Sequence, residues 1–298
     1  MNIGKTEHIP VLAGVLTEQI VLPQDAVMVD ATIGQGGHSI LFGRNLGPEG
    51  VIVGLDVDRK AIQGAQTKLT DLICKLVLIE GNFGQISDVL GSRGINKVDF
   101  ILADLGVCSA QLTDPEIGLS FQANMPLDMR MDKRLTTTAA DIVNTTDQNS
   151  LADLIYKFGE DRAARRIARF IVEGREQRPI ATTGQLAMIV CRALGPGRKG
   201  RIHPATRTFQ ALRIAVNNEL ENLKKLLAAA AGLMKKDGRI AVISFHSLED
   251  RLVKNSFREN KEQGIYTVVT KKPLRASREE IAENPRARSA KLRIAQKR

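Results

Sequence analysis

The 298-residue chain has no tryptophan, and its aromatics are limited to 9 Phe and 2 Tyr. An extended stacking platform for single-stranded nucleic acid is therefore excluded, although one or two Phe can still stack a base. Cys74, Cys108 and Cys191 are scattered and form no C-x-x-C pair. That removes a zinc ligand set and a disulfide framework, and leaves three small buried hydrophobes. The 4 histidines include no pair at metal-ligand spacing, so no metal is expected. No apolar run approaches the ~20 residues needed to span a bilayer. The opening M-N-I-G-K-T-E-H lacks the apolar core of a signal peptide. A cytoplasmic protein without a membrane partner is the expectation. The P-loop pattern G-x-x-x-x-G-K-[ST] is also missing, and the glycine run Gly34–Gly37 after the first apolar run lacks the third glycine of a dinucleotide-type G-x-G-x-x-G, with Ser39 at that position.

Positive charge is abundant. The formal net charge is +10 and the isoelectric point about 9.7, a balance that favours polyanionic partners. The segment Lys271–Arg298 holds ten Lys and Arg against Glu279, Glu280 and Glu283, and reads as a basic C-terminal tail. A second concentration lies between Arg162 and Arg178, and R-K-G-R at Arg198–Arg201 adds a third.

Short apolar runs recur through the first third: Val27–Val29, Val51–Asp56, Leu76–Glu80 and Phe100–Asp104. Uninterrupted runs suggest strands buried on both faces of a parallel sheet, and a repeat of about 25 residues fits βαβ units. The rhythm stops after Asp104. From about Thr113 to Pro204 only loops and helices are legible, including Leu151–Phe158 and Asp161–Ile171. Phe209–Leu227 reads as one long amphipathic helix, and Arg239–Ser247 as a strand that resumes the early rhythm. The expected organisation is an α/β domain interrupted by a mostly helical insert: 1–112, then 113–205, then 206–298.

Ligands of open α/β sheets sit beyond the carboxyl ends of the strands. The first run ends in D-A-T-I-G-Q-G-G-H-S (Asp30–Ser39), the second in Asp56, the third is followed by Gly81-Asn82-Phe83, and the fourth ends in Asp104. A glycine run alone is as often only a tight turn. Carboxylates at two further strand ends favour a ligand: Asp56 is placed for ribose hydroxyls, and Phe83 for an adenine. Gly-x-Gly-Gly admits close backbone approach without calling for a diphosphate. S-adenosylmethionine fits this set.

At these residues the chain resembles the bacterial 16S ribosomal RNA (cytosine-N4)-methyltransferase family, which acts in the decoding region of the small subunit. The resemblance is carried by eight segments in order: His8–Leu12, Asp30–Ser39, Asp104–Leu112, Pro126–Asp132, Phe158–Arg162, His203–Ile214, Ser244–Arg251 and Asn284–Arg293. The chain departs from the family pattern at Cys108 and Ala110, where Ser and Pro are usual, and at Met125, where Gly is usual. The resemblance implies a Rossmann-like class I methyltransferase domain with an inserted, mostly helical substrate-recognition domain. It implies S-adenosylmethionine as cofactor, and 16S rRNA within the small subunit as partner. Gly36, Gly37 and His38 would line the methionine end, Asp56 the ribose and Phe83 the adenine, with Asp104 and Gln111 completing the pocket.

Methyl transfer from a sulfonium needs alignment rather than a metal or a covalent enzyme intermediate. Asp104 is the first candidate for a dual role, ordering the cofactor and polarising the amine; cofactor contact alone is the simpler reading. His246, after a buried strand, is the second candidate, with a structural histidine as its plain alternative. Ser247-Leu-Glu-Asp250 has capping-box spacing, so Ser247 is expected to start a helix. Arg162, Arg165, Arg166 and Arg169 fall at i, i+3, i+4 and i+7, a helical stripe able to track phosphates; an ordinary solvated face is the alternative. The P-L-D-M-R-M-D loop would line a pocket for an unstacked base, with Arg130 near base or phosphate and Asp128 and Asp132 restraining it. Two other activity classes fit the same residues: a non-catalytic RNA-binding assembly factor and a DNA amino-methyltransferase.

Overall fold

The computed structural model describes residues 10–107, 111–112, 114–195 and 203–298. His8, Cys108, Ala110 and the R-K-G-R segment lie outside the described residues. The chain divides into two compact units. One comprises Met1–Gly106 with Leu220–Arg298, and the other Val107–Glu219.

The first unit is built on a seven-stranded sheet in the order β3-β2-β1-β4-β5-β7-β6. The strands are β1 Val27–Asp30, β2 Val51–Asp56, β3 Lys75–Glu80, β4 Val98–Asp104, β5 Met234–Ser244, β6 Tyr266–Val268 and β7 Lys291–Lys297. Strands β1 to β5 pair in parallel, and β7 runs antiparallel between β5 and β6. This is the Rossmann-like class I methyltransferase arrangement. Both faces are buried, which is why the strands read as continuous apolar runs. Val29, Val53, Ile101 and Val242 face a core that includes Leu223, Leu226, Val253 and Phe257. Their neighbours Met28, Ile52, Phe100 and Ile243 face a second core with Leu12, Leu16 and Phe42.

Three sequence expectations are corrected. Phe209–Leu227 is not one helix. It is split into Thr206–Asn217 and Glu219–Leu233 by Asn218, whose φ of 50° places it in the left-handed region. Asn tolerates that conformation, and its neighbours carry the apolar pattern across the break, so the periodicity conceals it. The strand expected at Arg239 begins earlier, at Met234, and ends at Ser244. The basic C-terminus is not a tail: β7 lies inside the sheet. Arg293 is only 7 % exposed and donates to Asp250 at 2.7 Å, with Lys291 on the same carboxylate at 3.2 Å. Lys297 donates to the carbonyls of Ala231 and Met234, at 2.7 and 3.0 Å, near the end of the helix Glu219–Leu233. Such cations are consumed by the fold.

The second unit packs helices Ala139–Thr145, Gln148–Gly159, Ala164–Gln177, Thr183–Leu194 and Thr206–Asn217 around one apolar cluster, with Ile155, Ile167, Ile171, Leu186 and Leu212 at its centre. Thr138 and Thr182 open two of these helices with reciprocal capping boxes to Asp141 and Gln185, each satisfying orphan N–H groups of the first turn. His203 is structural here. Its ring stacks on Phe121 at 4.4 Å, and its Nδ1 accepts from the Ala205 N–H at 3.2 Å.

Candidate active site

The sheet order reverses between β1 and β4, which makes the carboxyl ends of these two strands the topological switch point. Asp30 and Asp104 end them, and Asp56 ends β2 beside β1. The loop after β1 is fastened on both sides. Ile33 N–H donates to the Leu55 carbonyl at 2.9 Å, and Ala31 N–H to that of Leu102 at 2.8 Å. Thr32 Oγ1 accepts from the Asp104 N–H at 2.7 Å. Gly36 caps the helix Gly37–Gly43 with φ 79°, a left-handed conformation that favours glycine. A Cβ on Gly36 would stand 3.1 Å from Leu69, and one on Gly37 3.1 Å from Pro10. These glycines therefore serve tight protein packing as well as any ligand.

Asp56 receives two backbone N–H groups, from Gly34 at 3.0 Å on Oδ2 and from Asp58 at 2.9 Å on Oδ1. Each oxygen keeps a further lone pair, so ribose hydroxyls fit a carboxylate already aimed by its loop. Burial pushes its pKa up to about 6, against those hydrogen bonds. Phe83 opens the 3-10 turn Phe83–Gln85 after β3. It is half-buried against the sheet core, and its turn is fixed by Asn82 Oδ1 accepting from Gly84 N–H at 2.8 Å.

Asp104 carries the feature most suggestive of chemistry. Its side chain is 23 % exposed, yet Oδ1 is fully buried and finds no hydrogen-bond partner among the described residues. Burial, with the Glu249 charge behind it, pushes its pKa up to about 7. Oδ2 lies 3.6 Å from His38 Nδ1. The His38 ring is buried, and its Nε2 stands 2.9 Å from the Val11 carbonyl. His38 is thus internal to the wall, and any contact it makes with a ligand is through its backbone. Asp30, 2 % exposed, accepts from Ser39 Oγ at 2.7 Å; burial drives its pKa up to about 6, partly opposed by His38.

His246 caps the helix Ser247–Glu262. Its Nδ1 accepts from the Glu249 N–H at 3.4 Å, and Nε2 lies 3.1 Å from Glu249 Oε1. Glu249 in turn accepts from the N–H groups of Phe245 and His246 at 2.8 and 3.3 Å. The capping box is therefore His246/Glu249, one residue earlier than the Ser247/Asp250 box expected from spacing. Asp250 is held instead by Arg293 and Lys291. Sequence reasoning misses Glu249, because it is indistinguishable there from any helix-opening acid. Its 3 % exposure marks it out.

Gln111 lies in the second unit and is buried. Arg130, also there, is committed to its own loop. Nε and Nη2 grip both oxygens of Asp128 at 2.7 and 2.8 Å, and Nη1 donates to the Leu135 carbonyl at 2.7 Å. Burial opposes ionisation of Asp128, but Arg130 prevails and holds that carboxyl below its usual range. Asp132 restrains Arg134 rather than Arg130. Arg130 is therefore paired within its own loop, and a base or phosphate would share its guanidinium fork with Asp128. Arg165, Arg166 and Arg169 are exposed on the helix Ala164–Gln177, with Arg166 and Arg169 over the Phe170 ring at 5.9 and 5.4 Å. Arg162 is exposed too, but precedes that helix in a turn, so the stripe is shorter than its spacing suggests.

The chain matches known proteins over nearly its whole length. It is 46 % identical over 300 residues to the ribosomal RNA small subunit methyltransferase H of Acidobacterium capsulatum, covering 98 % of this chain and 99 % of that one. The protein of the same name from Solibacter usitatus is 48 % identical over 96 % of this chain and 98 % of its own. That of Cyanothece sp. is 49 % identical over 97 % of this chain and 94 % of its own. The sequence pattern of the MraW methylase family matches residues 5–298, and the chain belongs to that family.

Proposed function

We propose that this protein transfers a methyl group to the N4 amine of a cytidine in 16S rRNA of the small ribosomal subunit. The ribosomal substrate is the one named for its relatives. The atom is argued from the site, and one observation carries it: Asp104 ends β4 at the switch point with a partly exposed carboxyl that burial raises to a pKa of about 7. An exocyclic N–H is the kind of donor that completes such an acceptor, and leaving it unmade is costly.

Asp56, Phe83 and the Gly36–Gly37 turn would hold S-adenosylmethionine, which would supply an electrophilic methyl on a sulfonium. Its positive charge suits a site lined by Asp30, Asp56 and Asp104. Asp104 accepts the N4–H and turns the amine lone pair out of conjugation with the ring. Transfer would break the methyl C–S bond, leaving a neutral thioether, and the proton that N4 then has in excess would pass to the Asp104 carboxylate, whose pKa of about 7 suits the task. His246 and Glu249 hold the backbone at the end of β5, so His246 is a positioning residue for the neighbouring acid. Arg162, Arg165, Arg166 and Arg169 take RNA phosphates, which need little geometry beyond an exposed guanidinium.

Incubation with methyl-labelled cofactor and small subunits, naked rRNA or DNA tests the assignment. Transfer to subunit rRNA supports it. Cofactor binding without transfer to any acceptor favours a non-catalytic assembly factor, and label only in DNA sinks the ribosomal substrate.

A further inference from the structure

The segment between β6 and β7 has a use that the sheet does not account for. Antiparallel register sets Lys291, the first residue of β7, opposite Ser244, the last of β5. Residues 269–290 leave β6 after Val268, opposite Ala295, and rejoin the sheet at Lys291, at the carboxyl edge that carries Asp30, Asp56 and Asp104. The excursion is anchored there. Leu274 pairs with Leu292. Leu274, Ala276, Ile281, Ala287 and Ala290 pack into the cluster that holds Val11 and Leu12. Glu280 accepts from the Leu12 N–H at 2.6 Å, one residue from the carbonyl that binds His38.

With its apolar side spent inward, the excursion exposes Lys271, Lys272, Arg275, Arg278 and Arg288. None of these forms an ion pair with the described residues, whereas Lys291 and Arg293 are consumed by Asp250. The exposed acids of the segment are Glu279 and Glu283, and Glu280 is half-buried at its Leu12 bond. Like charges crowded without partners repel one another, a cost that a polyanion at the same edge reverses.

We propose that this excursion is a second RNA contact, built into the sheet unit itself, that takes phosphates of the single strand flanking the target nucleotide. It rests on the rRNA reading above, because that reading requires the flanking strand to pass the carboxyl edge of the sheet. The ligand chemistry is a run of phosphodiesters, and the contact is independent of base sequence.

The experiment compares Arg275→Gln/Arg278→Gln with Arg93→Gln/Lys236→Gln. The second pair removes the same charge from exposed positions at the opposite edge, just before β4 and near the start of β5. Binding of the full chain to naked 16S rRNA is measured between about 50 and 200 mM salt. The first variant is expected to bind about tenfold more weakly at low salt, and its log–log salt slope to fall by about one for each phosphate no longer neutralised. The edge control keeps the wild-type slope. Affinity for S-adenosylmethionine and the thermal midpoint stay unchanged in both. Equal losses in the two variants, or a wild-type slope in the first, overturn the proposal. A loss confined to intact subunits also overturns it, because the segment then touches ribosomal protein instead of RNA. The readout is binding, so it stands apart from the methyl-transfer test: a wild-type protein inactive on every acceptor would fail that reading and leave this comparison to be read separately.

Discussion

Asp104 Oδ2 stands 3.6 Å from Nδ1 of His38, while Nε2 of the same ring is fixed by the Val11 carbonyl at 2.9 Å. A carbonyl only accepts, so Nε2 carries the ring proton. Burial lowers the His38 pKa, so the ring is neutral and Nδ1 offers Asp104 a lone pair. A carboxyl that faces a lone pair on one oxygen, and on the other finds no partner among the described residues, is costly to ionise, and Asp104 gives up its proton only at about pH 7. The site is thereby less stable when empty than a neutral isostere would make it.

Asp104→Asn separates these effects. Turnover is expected to fall about 10²-fold or more, since a general base contributes on that scale. The cofactor-free protein is expected to melt a few degrees higher, at about 2–4 °C per kcal/mol gained. Activity and stability move in opposite directions. A variant with normal turnover removes the chemical role of the carboxylate, and one that melts lower removes the account of its strain.

The raised carboxylates make both stability and cofactor binding depend on pH. Asp30, Asp56 and Asp104 ordinarily titrate at 3.8 and do so here at about 6, 6 and 7. The folded chain therefore holds protons that the unfolded chain releases. Their contribution makes the cofactor-free protein lose stability as pH rises from about 4 to 7, and Asp104→Asn flattens the upper part of that decline. A cationic cofactor favours the ionised forms, so its affinity is expected to drop as pH falls below about 7. Calorimetry at pH 7 in buffers of different ionisation enthalpy should show proton release on binding. Binding without proton release contradicts the assignment.

Gly36→Ala and Gly14→Ala probe the loop. A methyl at Gly36 meets Leu69 and a left-handed φ, so a loss of about 1–2 kcal/mol and weaker cofactor binding are expected. Gly14 lies in the helix Ala13–Gln19 with open space around it, where Ala is expected to stabilise by about 0.5–1 kcal/mol. Denaturant titration reads both. Equal effects at the two positions contradict the packing argument.

Tyr266 is 1 % exposed, and its hydroxyl finds no hydrogen-bond partner among the described residues. The ring packs edge-on against Phe257 at 5.9 Å. Tyr266→Phe keeps that packing and removes the unpaired group, so stability is expected to hold or rise by about 1 kcal/mol. A clear loss on thermal melting would reveal a hydrogen bond to the phenol.

The strands of the parallel sheet are legible because burial on both faces writes continuous apolar runs, and the acids of the candidate site are legible because they stand at strand ends. Strand β7 is not. Its K-L-R-I-A-Q-K carries charges whose partners, Asp250 and the carbonyls after Ala230, are distant in sequence. The pairing of Arg130 is hidden for the same reason: a free arginine and one held by Asp128 look alike until the loop is folded. The cap at His246 shifts by one residue because two acid spacings overlap in S-F-H-S-L-E-D, and only the buried Glu249 resolves them.

The RNA atom that takes the methyl group can be read directly from the labelled nucleoside. Small subunits lacking the modification are incubated with the protein and deuteromethyl-labelled S-adenosylmethionine. The rRNA is then digested to nucleosides, and the labelled species identified by mass and retention. The account predicts label in N4-methylcytidine, lost in Asp104→Asn. Label in 5-methylcytidine or in a 2′-O-methylated nucleoside would contradict it.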